Sequence, residues 1–187
     1  MIEDLIEESL SGTNYDISLV VHYLLKDHHI CGSIKNKQWY SFDGNKWHLT
    51  EAGPYSELST IVFNEYKKYL HDFEETDKRE SILNVMNKLK NVTSKETINR
   101  ECLYTFYDPE FLNKLDINDS IIGFINGVYE IDTNTFRTGT KNDMISIFID
   151  KPFDECSDSL TNIIPRFIEY KNKIILKRKS IRNTFII

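Results

Sequence analysis

Alanine is nearly missing from this 187-residue chain, where Ala52 stands alone. Glycine occurs 7 times and proline 4 times. No glycine opens a G-x-x-x-x-G-K-[ST] or G-x-G-x-x-G phosphate loop, which argues against nucleotide hydrolysis by this chain. Gly139-Thr140-Lys141 ends like such a loop, but it lacks the upstream glycine and follows strand-like segments, so it reads as a turn. Cys31, Cys102 and Cys156 are odd in number and far apart, which excludes a disulfide scaffold and points to a reducing compartment. No run approaches the ~18 apolar residues of a membrane span. The acidic start (Glu3, Asp4, Glu7, Glu8) carries the wrong charge for a signal peptide. Secreted and membrane-spanning classes are therefore not expected.

What is present fits a globular protein. Hydrophobic residues make up 40% and charged residues 28%, enough for a core at this length and too apolar for general disorder. The 24 isoleucines and 16 asparagines are types with AT-rich codons, pointing to an AT-rich genome. Charge is unevenly spread. Residues 171–187 hold Lys171, Lys173, Lys177, Arg178, Lys179 and Arg182 and no acid, so an overall −6 becomes −12 for the other 170 residues.

Periodicity predicts helices first. Ile2, Leu5 and Ile6 mark one that stops near Gly12, and Ile17, Val20, Val21, Leu24 and Leu25 mark a second behind Asn14 or Asp16 as cap. Aromatic runs on either side of Asp43-Gly44 predict a hairpin carrying Trp39 and Trp47 on its two strands. Pro54 and Ser56 open a helix with an apolar stripe from Leu58 to Phe73, and residues 72–80 read as a solvated connection. Ile82 to Leu89 is another helix. Thr93 and Glu96 have capping-box spacing, and Asp108-Pro109 is a helix restart. Beyond Asp119 the period is strand-like, with turns at Asn126-Gly127 and 132–134 and a last strand near 145–149. The expected class is α+β, with an aromatic hairpin and a small antiparallel meander. The expected division is a domain over 1–154 and a basic tail over 155–187.

Few residues offer chemistry. His28, His29 and Cys31 are close, with Cys102 or Cys156 to complete a zinc set, but neither C-x₂₋₄-C nor H-x₃₋₅-H occurs. A helix C-terminus with two histidines and a buried thiol explains them better. Asn91-Val-Thr matches a glycosylation acceptor by chance, with Thr93 as a cap. No metal or catalytic residue is expected. The hairpin holds more: Lys35, Lys37 and Lys46 interleave with Trp39, Tyr40, Phe42 and Trp47, with Asp43 as the one acid between 30 and 50. Lysines neutralise phosphates and aromatic faces stack bases, so Lys35, Lys37, Trp39, Tyr40, Lys46 and Trp47 form a candidate single-strand grip. The competing reading makes the tryptophans core partners and the lysines solvated edge charges.

The run from Tyr15 to Phe42, continuing to Lys46-Trp47, resembles the poxvirus-type primase–helicases of nucleocytoplasmic large DNA viruses. The shared pattern is a helix, Lys26-Asp27, then Cys31-Gly-Ser-Ile-Lys-Asn, Trp39-Tyr40 and a basic-Trp pair. Glu101-Cys102, Phe106-Tyr107, Phe111-Leu112 and Lys114-Leu115-Asp116 are similar too, as are Gly123-Phe-Ile-Asn-Gly-Val-Tyr-Glu-Ile, Phe136-Arg137 and Asn142 to Ser146. The motifs cover residues 14 to 150, and the likeness fades after Asp154.

The resemblance implies the collar-type domain N-terminal to a superfamily 3 helicase motor, acting in viral DNA replication. It implies single-stranded or forked DNA and neighbouring helicase subunits as partners, no membrane, and a site of action in the host cytoplasm. ATP and Mg²⁺ are implied for the motor, and no cofactor for this chain. Two further readings are a stand-alone remnant that binds and modulates the full-length helicase, and an enzyme with a convergent polar pocket. With no phosphate cradle, the purified chain should not hydrolyse ATP. DNA-stimulated turnover abolished by substitution at Lys141 would show that the Gly139 turn is a nucleotide site.

Overall fold

The computed structural model describes residues 2–71, 76–155 and 160–183. Elements run α1 (Ile2–Ser9), α2 (Asn14–Leu25), β1 (His29–Ser33), β2 (Gln38–Phe42), β3 (Trp47–Thr50) and α3 (Tyr55–Glu57). A π-helical segment, Leu58–Val62, leads into α4 (Phe63–His71), followed by α5 (Thr76–Lys90), α6 (Val92–Thr105) and α7 (Phe111–Lys114). Then come β4 (Ile121–Phe124), β5 (Gly127–Glu130), β6 (Thr135–Arg137), β7 (Phe148–Ile149) and α8 (Leu160–Asn183). The class is α+β. The chain divides into two compact units, Met1–Ser41 with Leu49–Pro109, and Phe42–His48 with Glu110–Ile187. The division expected near residue 154 and this one fall at different places.

In the first unit, α1, α2, the π-helical segment and α4 to α6 bury Ile6, Ile17, Val20, Leu58, Tyr66, Ile82, Leu89 and Ile98 in one core. Each such aliphatic side chain contributes roughly 1.5–3 kcal/mol by leaving water. The Tyr66 hydroxyl meets Ser9 Oγ at 2.6 Å, which pairs a polar group inside that core, and burial pushes the phenol's pKa up. Helix α2 is capped by Thr13, whose side chain accepts from the Asp16 amide, rather than by Asn14 or Asp16. Helix α6 is capped by Asn91 accepting from Ser94 N, two residues before the expected Thr93. Residues 76–80 of the expected 72–80 connection are helical in α5; residues 72–75 lie outside the described residues.

His29 and Cys31 do not end a helix; they lie in β1. Strand β1 pairs antiparallel with β2 through Ile30↔Tyr40 and Cys31↔Trp39, giving a sheet ordered β1-β2-β3. The free edge of β1 is occupied: Cys31 N donates to Phe106 O at 3.0 Å and Asp108 N to Cys31 O at 3.2 Å. Asp108 thus continues this pairing and does not cap α7, whose N-cap is Glu110. His29 is 6% exposed; Nδ1 meets Ser41 Oγ at 2.8 Å and Nε2 meets Glu57 at 3.1 Å. Burial alone would raise the pKa of Glu57, but hydrogen bonds with His29 and Ser56 hold it down at about 2.

In the second unit the sheet order is β6-β5-β4-β7. The meander β4-β5-β6 is antiparallel as expected, but β7 joins β4 in parallel, Gly123↔Phe148. The core holds Ile122, Phe124, Tyr129, Ile147 and Phe167, with Phe153 stacked on Phe136 at 4.4 Å between centroids. The segment expected to be a basic tail is partly core: α8 contributes Phe167 and packs Ile163, Ile164 and Ile174 on this cluster. Lys171 is 3% exposed and its ammonium binds Asn118 O at 2.8 Å and Asp119 at 2.7 Å. The side chains of Arg178, Lys179 and Arg182, like Cys156, lie outside the described residues.

Gly53 has φ +54, and a Cβ there would sit 2.5 Å from the Trp39 ring; Gly44 has φ +103 with nothing within 4 Å. Gly53→Ala should cost about 2–3 kcal/mol and Gly44→Ala about 1 kcal/mol in urea unfolding, since only the first adds overpacking to backbone strain. Equal losses would contradict the close packing of Gly53. The Glu57 carboxylate contributes stability that is complete above its ordinary value of 4.5 and is lost as pH falls through that value towards about 2. Urea midpoints at pH 5.5 and pH 3 should therefore converge more in Glu57→Gln than in the parent; parallel losses would show that this pair does not set the acid response.

Candidate nucleic-acid interface

The residues singled out by sequence do not form one exposed face. Lys35, Lys37, Trp39 and Tyr40 belong to the first unit, Lys46 and Trp47 to the second. Lys35 and Lys37 are exposed on the turn joining β1 and β2, where Lys37 adopts φ 49. The aromatic candidates are core. Trp39 is 1% exposed, with its ring edge-on to Phe106 at 5.6 Å and Gly53 against its six-membered ring. Tyr40 is likewise buried, its hydroxyl accepting from Gln38 Nε2 at 3.2 Å. Trp47 is fully buried, donating Nε1–H to Lys141 O at 3.0 Å and packing edge-on to Phe111.

Lys46 is buried too, with Nζ 3.6 Å from the centre of the Phe148 ring. Burial lowers its pKa, against the opposing attraction of Asp43 and Asp150. A base-stacking role for Trp39, Tyr40 or Trp47, and a phosphate contact from Lys46, are thus at odds with this packing. The two tryptophans do lie on adjacent strands across the Asp43-Gly44 loop, as expected. Trp39 joins the first unit's core, and Trp47 packs on Phe42 and Phe111 in the second. Asp43 organises the loop by accepting from the amides of Asn45 and Lys46 at 2.8 and 2.9 Å. Gly139, the residue of the loop-like tripeptide, donates to Asn45 Oδ1 at 3.0 Å and its α-carbon lies against the Asn45 backbone. That close approach fills the space beside Gly139 with protein.

A cleft of about 270 Å³ opens in the first unit. One wall is a single face of α6, since Glu96, Asn99, Arg100 and Leu103 follow at i, i+3, i+4 and i+7. The other wall is Glu51 and Tyr55 from the segment between β3 and α3, with Lys37 at the turn and Trp39 beneath. Asn99 Nδ2 donates to Ala52 O at 3.0 Å and so ties the two walls together. This bond fixes the amide orientation, because the carbonyl accepts only from the nitrogen. Asn99 Oδ1 is then buried with no hydrogen-bond partner among the described residues. Lys95 Nζ lies 4.3 Å from the centre of the Tyr55 ring.

Sequence reasoning reached Lys37 and Trp39 in this cleft and missed Glu51, Tyr55, Glu96, Asn99 and Arg100. The helical spacing of 96, 99, 100 and 103 was the signal that could have grouped the α6 residues; nothing in the sequence tied Glu51 and Tyr55 to them. Among the described residues no cluster of His, Cys, Asp and Glu could hold a metal ion. Cys31 and Cys102 are buried, and burial raises both thiol pKa values.

Comparison with known proteins agrees with the motif resemblance. A protein of Acanthamoeba polyphaga mimivirus named "Putative helicase" is 31% identical over 180 residues, covering 87% of this chain and 19% of that protein. One so named from Invertebrate iridescent virus 3 is 34% identical over 95 residues, or 51% of this chain and 10% of the other. One from Frog virus 3 is 24% identical over 182 residues, or 72% and 18%. The chain thus spans about a fifth or less of the length of these curated relatives. The sequence pattern of the family described as "D5 N terminal like" matches residues 18–174, reaching beyond Asp154 into α8 as far as the buried Phe167 and Lys171. From its second helix to the last, then, this chain belongs to the D5 N-terminal-like family, related to the helicase-named proteins of large DNA viruses.

Proposed function

We propose that this chain is the DNA-contacting and self-associating domain that accompanies a superfamily 3 replicative helicase in a large DNA virus. In this reading it works at the replication site in the host cytoplasm and touches single-stranded or forked DNA. On the same reading ATP and Mg²⁺ belong to the helicase motor and no cofactor to these residues. The observation that carries the reading is the exposed Lys35-Asn36-Lys37 turn beside the cleft, in a family whose relatives are named helicases.

The aromatic residues of the hairpin take a scaffolding role, and the exposed turn supplies the phosphate contacts. A body with a balance of −12 over residues 1–170 repels a polyanion except where cations are concentrated, so binding by the isolated chain is weak and salt-sensitive. In α8, Lys173 and Lys177 are exposed, whereas Lys171 is sequestered by Asp119.

Fluorescence anisotropy of a labelled thymidine decamer, followed across salt, tests this. Lys35→Ala with Lys37→Ala should weaken binding and flatten the slope of log K against log salt by about 1.4, at roughly 0.7 per single-strand phosphate contact. Lys173→Ala with Lys177→Ala should leave the slope nearly unchanged. The reverse pattern would move the DNA site to α8. No binding by the parent, alone or mixed with full-length helicase, would leave protein contact as the domain's role.

A further inference from the structure

We propose that Tyr104 and Tyr107 are the base-stacking platform of this domain, holding unpaired bases of a DNA strand whose phosphates lie on the Lys35-Asn36-Lys37 turn. This rests on the DNA-contacting reading and supplies the rings that the buried Trp39, Tyr40 and Trp47 cannot. Tyr104 is 62% exposed and Tyr107 42% exposed. Among the described residues neither phenol oxygen is hydrogen-bonded, and neither ring meets another ring or a cation. Tyr23, Tyr55 and Phe63, by contrast, each have a lysine ammonium over the ring. A lone exposed ring is ordinary on a protein surface, whereas two neighbouring ones beside a cationic turn make a surface for flat ligands.

Helix α6 decides where the rings stand. Its Arg100 and Leu103 line the cleft together with Lys37. Tyr104 follows Arg100 at i+4 and Tyr107 follows Leu103 at i+4, so the tyrosines continue that face towards the C-terminal end. The helix ends at Thr105, but Tyr107 N donates to Tyr104 O at 3.3 Å, which carries the turn on and keeps the pair adjacent. Tyr107 also forms a parallel bridge with Cys31, and Asp108 N donates to Cys31 O. That pairing fixes Tyr107 beside β1, the strand that runs directly into the lysine turn. The turn thus adjoins the tyrosines by two routes, along β1 and through the cleft that Lys37 shares with Arg100. All five residues belong to the first unit.

Charge and ring do different work on a strand. Lys35, Lys37 and Arg100 attract a phosphate backbone whether its bases are paired or not. Glu101 and Asp108 stand next to the tyrosines in sequence and oppose a polyanion, so the rings have to act through non-ionic contact. Stacking on a phenol face needs a base that is out of the duplex, and every base has such a face. The platform therefore selects an unpaired strand and not one base.

The test compares a labelled thymidine decamer with an abasic decamer of the same sugar–phosphate backbone, by fluorescence anisotropy across salt. The parent should bind the thymidine strand at least about fivefold tighter, the difference expected from one stacked base or more. Tyr104→Ala with Tyr107→Ala should bring the two strands within about twofold, and each single change should remove part of the preference. The loss should be the same at every salt concentration, leaving the slope that the lysines set. Tyr104→Trp with Tyr107→Trp should keep the preference, and circular dichroism melting should show all variants folded. Tyr15→Ala, which removes an exposed ring on α2, should change nothing. Equal parent affinity for the two strands, or a preference that survives the alanine changes, would overturn the platform and leave the DNA-contacting reading standing. A loss as large in Tyr15→Ala would overturn the placement at the end of α6. Binding of neither strand would overturn both readings.

Discussion

Trp39 is the contact on which the first unit's concave surface depends. Its indole is held edge-on by Phe106 just beyond the end of α6, and the α-carbon of Gly53 lies against its six-membered ring, where no side chain would fit. Because Gly53 can come that close, the preceding carbonyl of Ala52 reaches Asn99 on α6. The segment between β3 and α3 is thus pinned to the core at one point and to the helix at the next. Glu51 and Tyr55 then face α6 from a braced wall. Recognition that needs no reordering of its walls loses less of its binding free energy to entropy.

The buried charges of the second unit follow one rule: each has its partners on the spot. Asp116 is 3% exposed and accepts from Ser146 N, Ser146 Oγ and Ile147 N between 2.6 and 2.9 Å. Lys171 finds a carbonyl and a carboxylate, and Lys46 lies over an aromatic face. Leaving any of these unpaired would cost several kcal/mol by order of magnitude. The pairing also gives physical meaning to two of the family-like motifs, since Leu115-Asp116 and Ile145-Ser146 hold each other. In the structure they are the internal braces of the second unit.

The elements were largely legible because local rules act locally. Amphipathic spacing located α1, α2 and α5, and Asn126-Gly127 located the β4–β5 turn. Caps slipped by a residue or two wherever several polar residues competed, as Asn91 did with Thr93, since only geometry says which oxygen reaches the free amides. Strand β1 was missed because His28-His29 favours a helix end in isolation, while the strand exists through its pairing with β2 and the 106–108 segment. The parallel joining of β7 to β4 is likewise a distant contact with no local signature. In the cleft, one wall was readable as a helix face. The other wall depends on an Asn99–Ala52 bond across 47 positions of sequence, which no local pattern announces.

The hairpin shows why interleaved lysines and aromatics mislead. A strand that grips nucleic acid with its rings needs one open face, so alternate residues should be exposed. Strand β2 instead buries the consecutive Trp39 and Tyr40, which point to opposite faces, so both sides are covered. It is also the middle strand of its sheet. A central strand with Trp39 and Tyr40 buried on its two faces cannot offer those rings to a base, whatever its composition. Its lysines are accessible only where the chain leaves the sheet, and Lys35 and Lys37 are in that turn. The charged turn and the cleft are therefore adjacent but separate features, with the tryptophan between them serving as the wall's support.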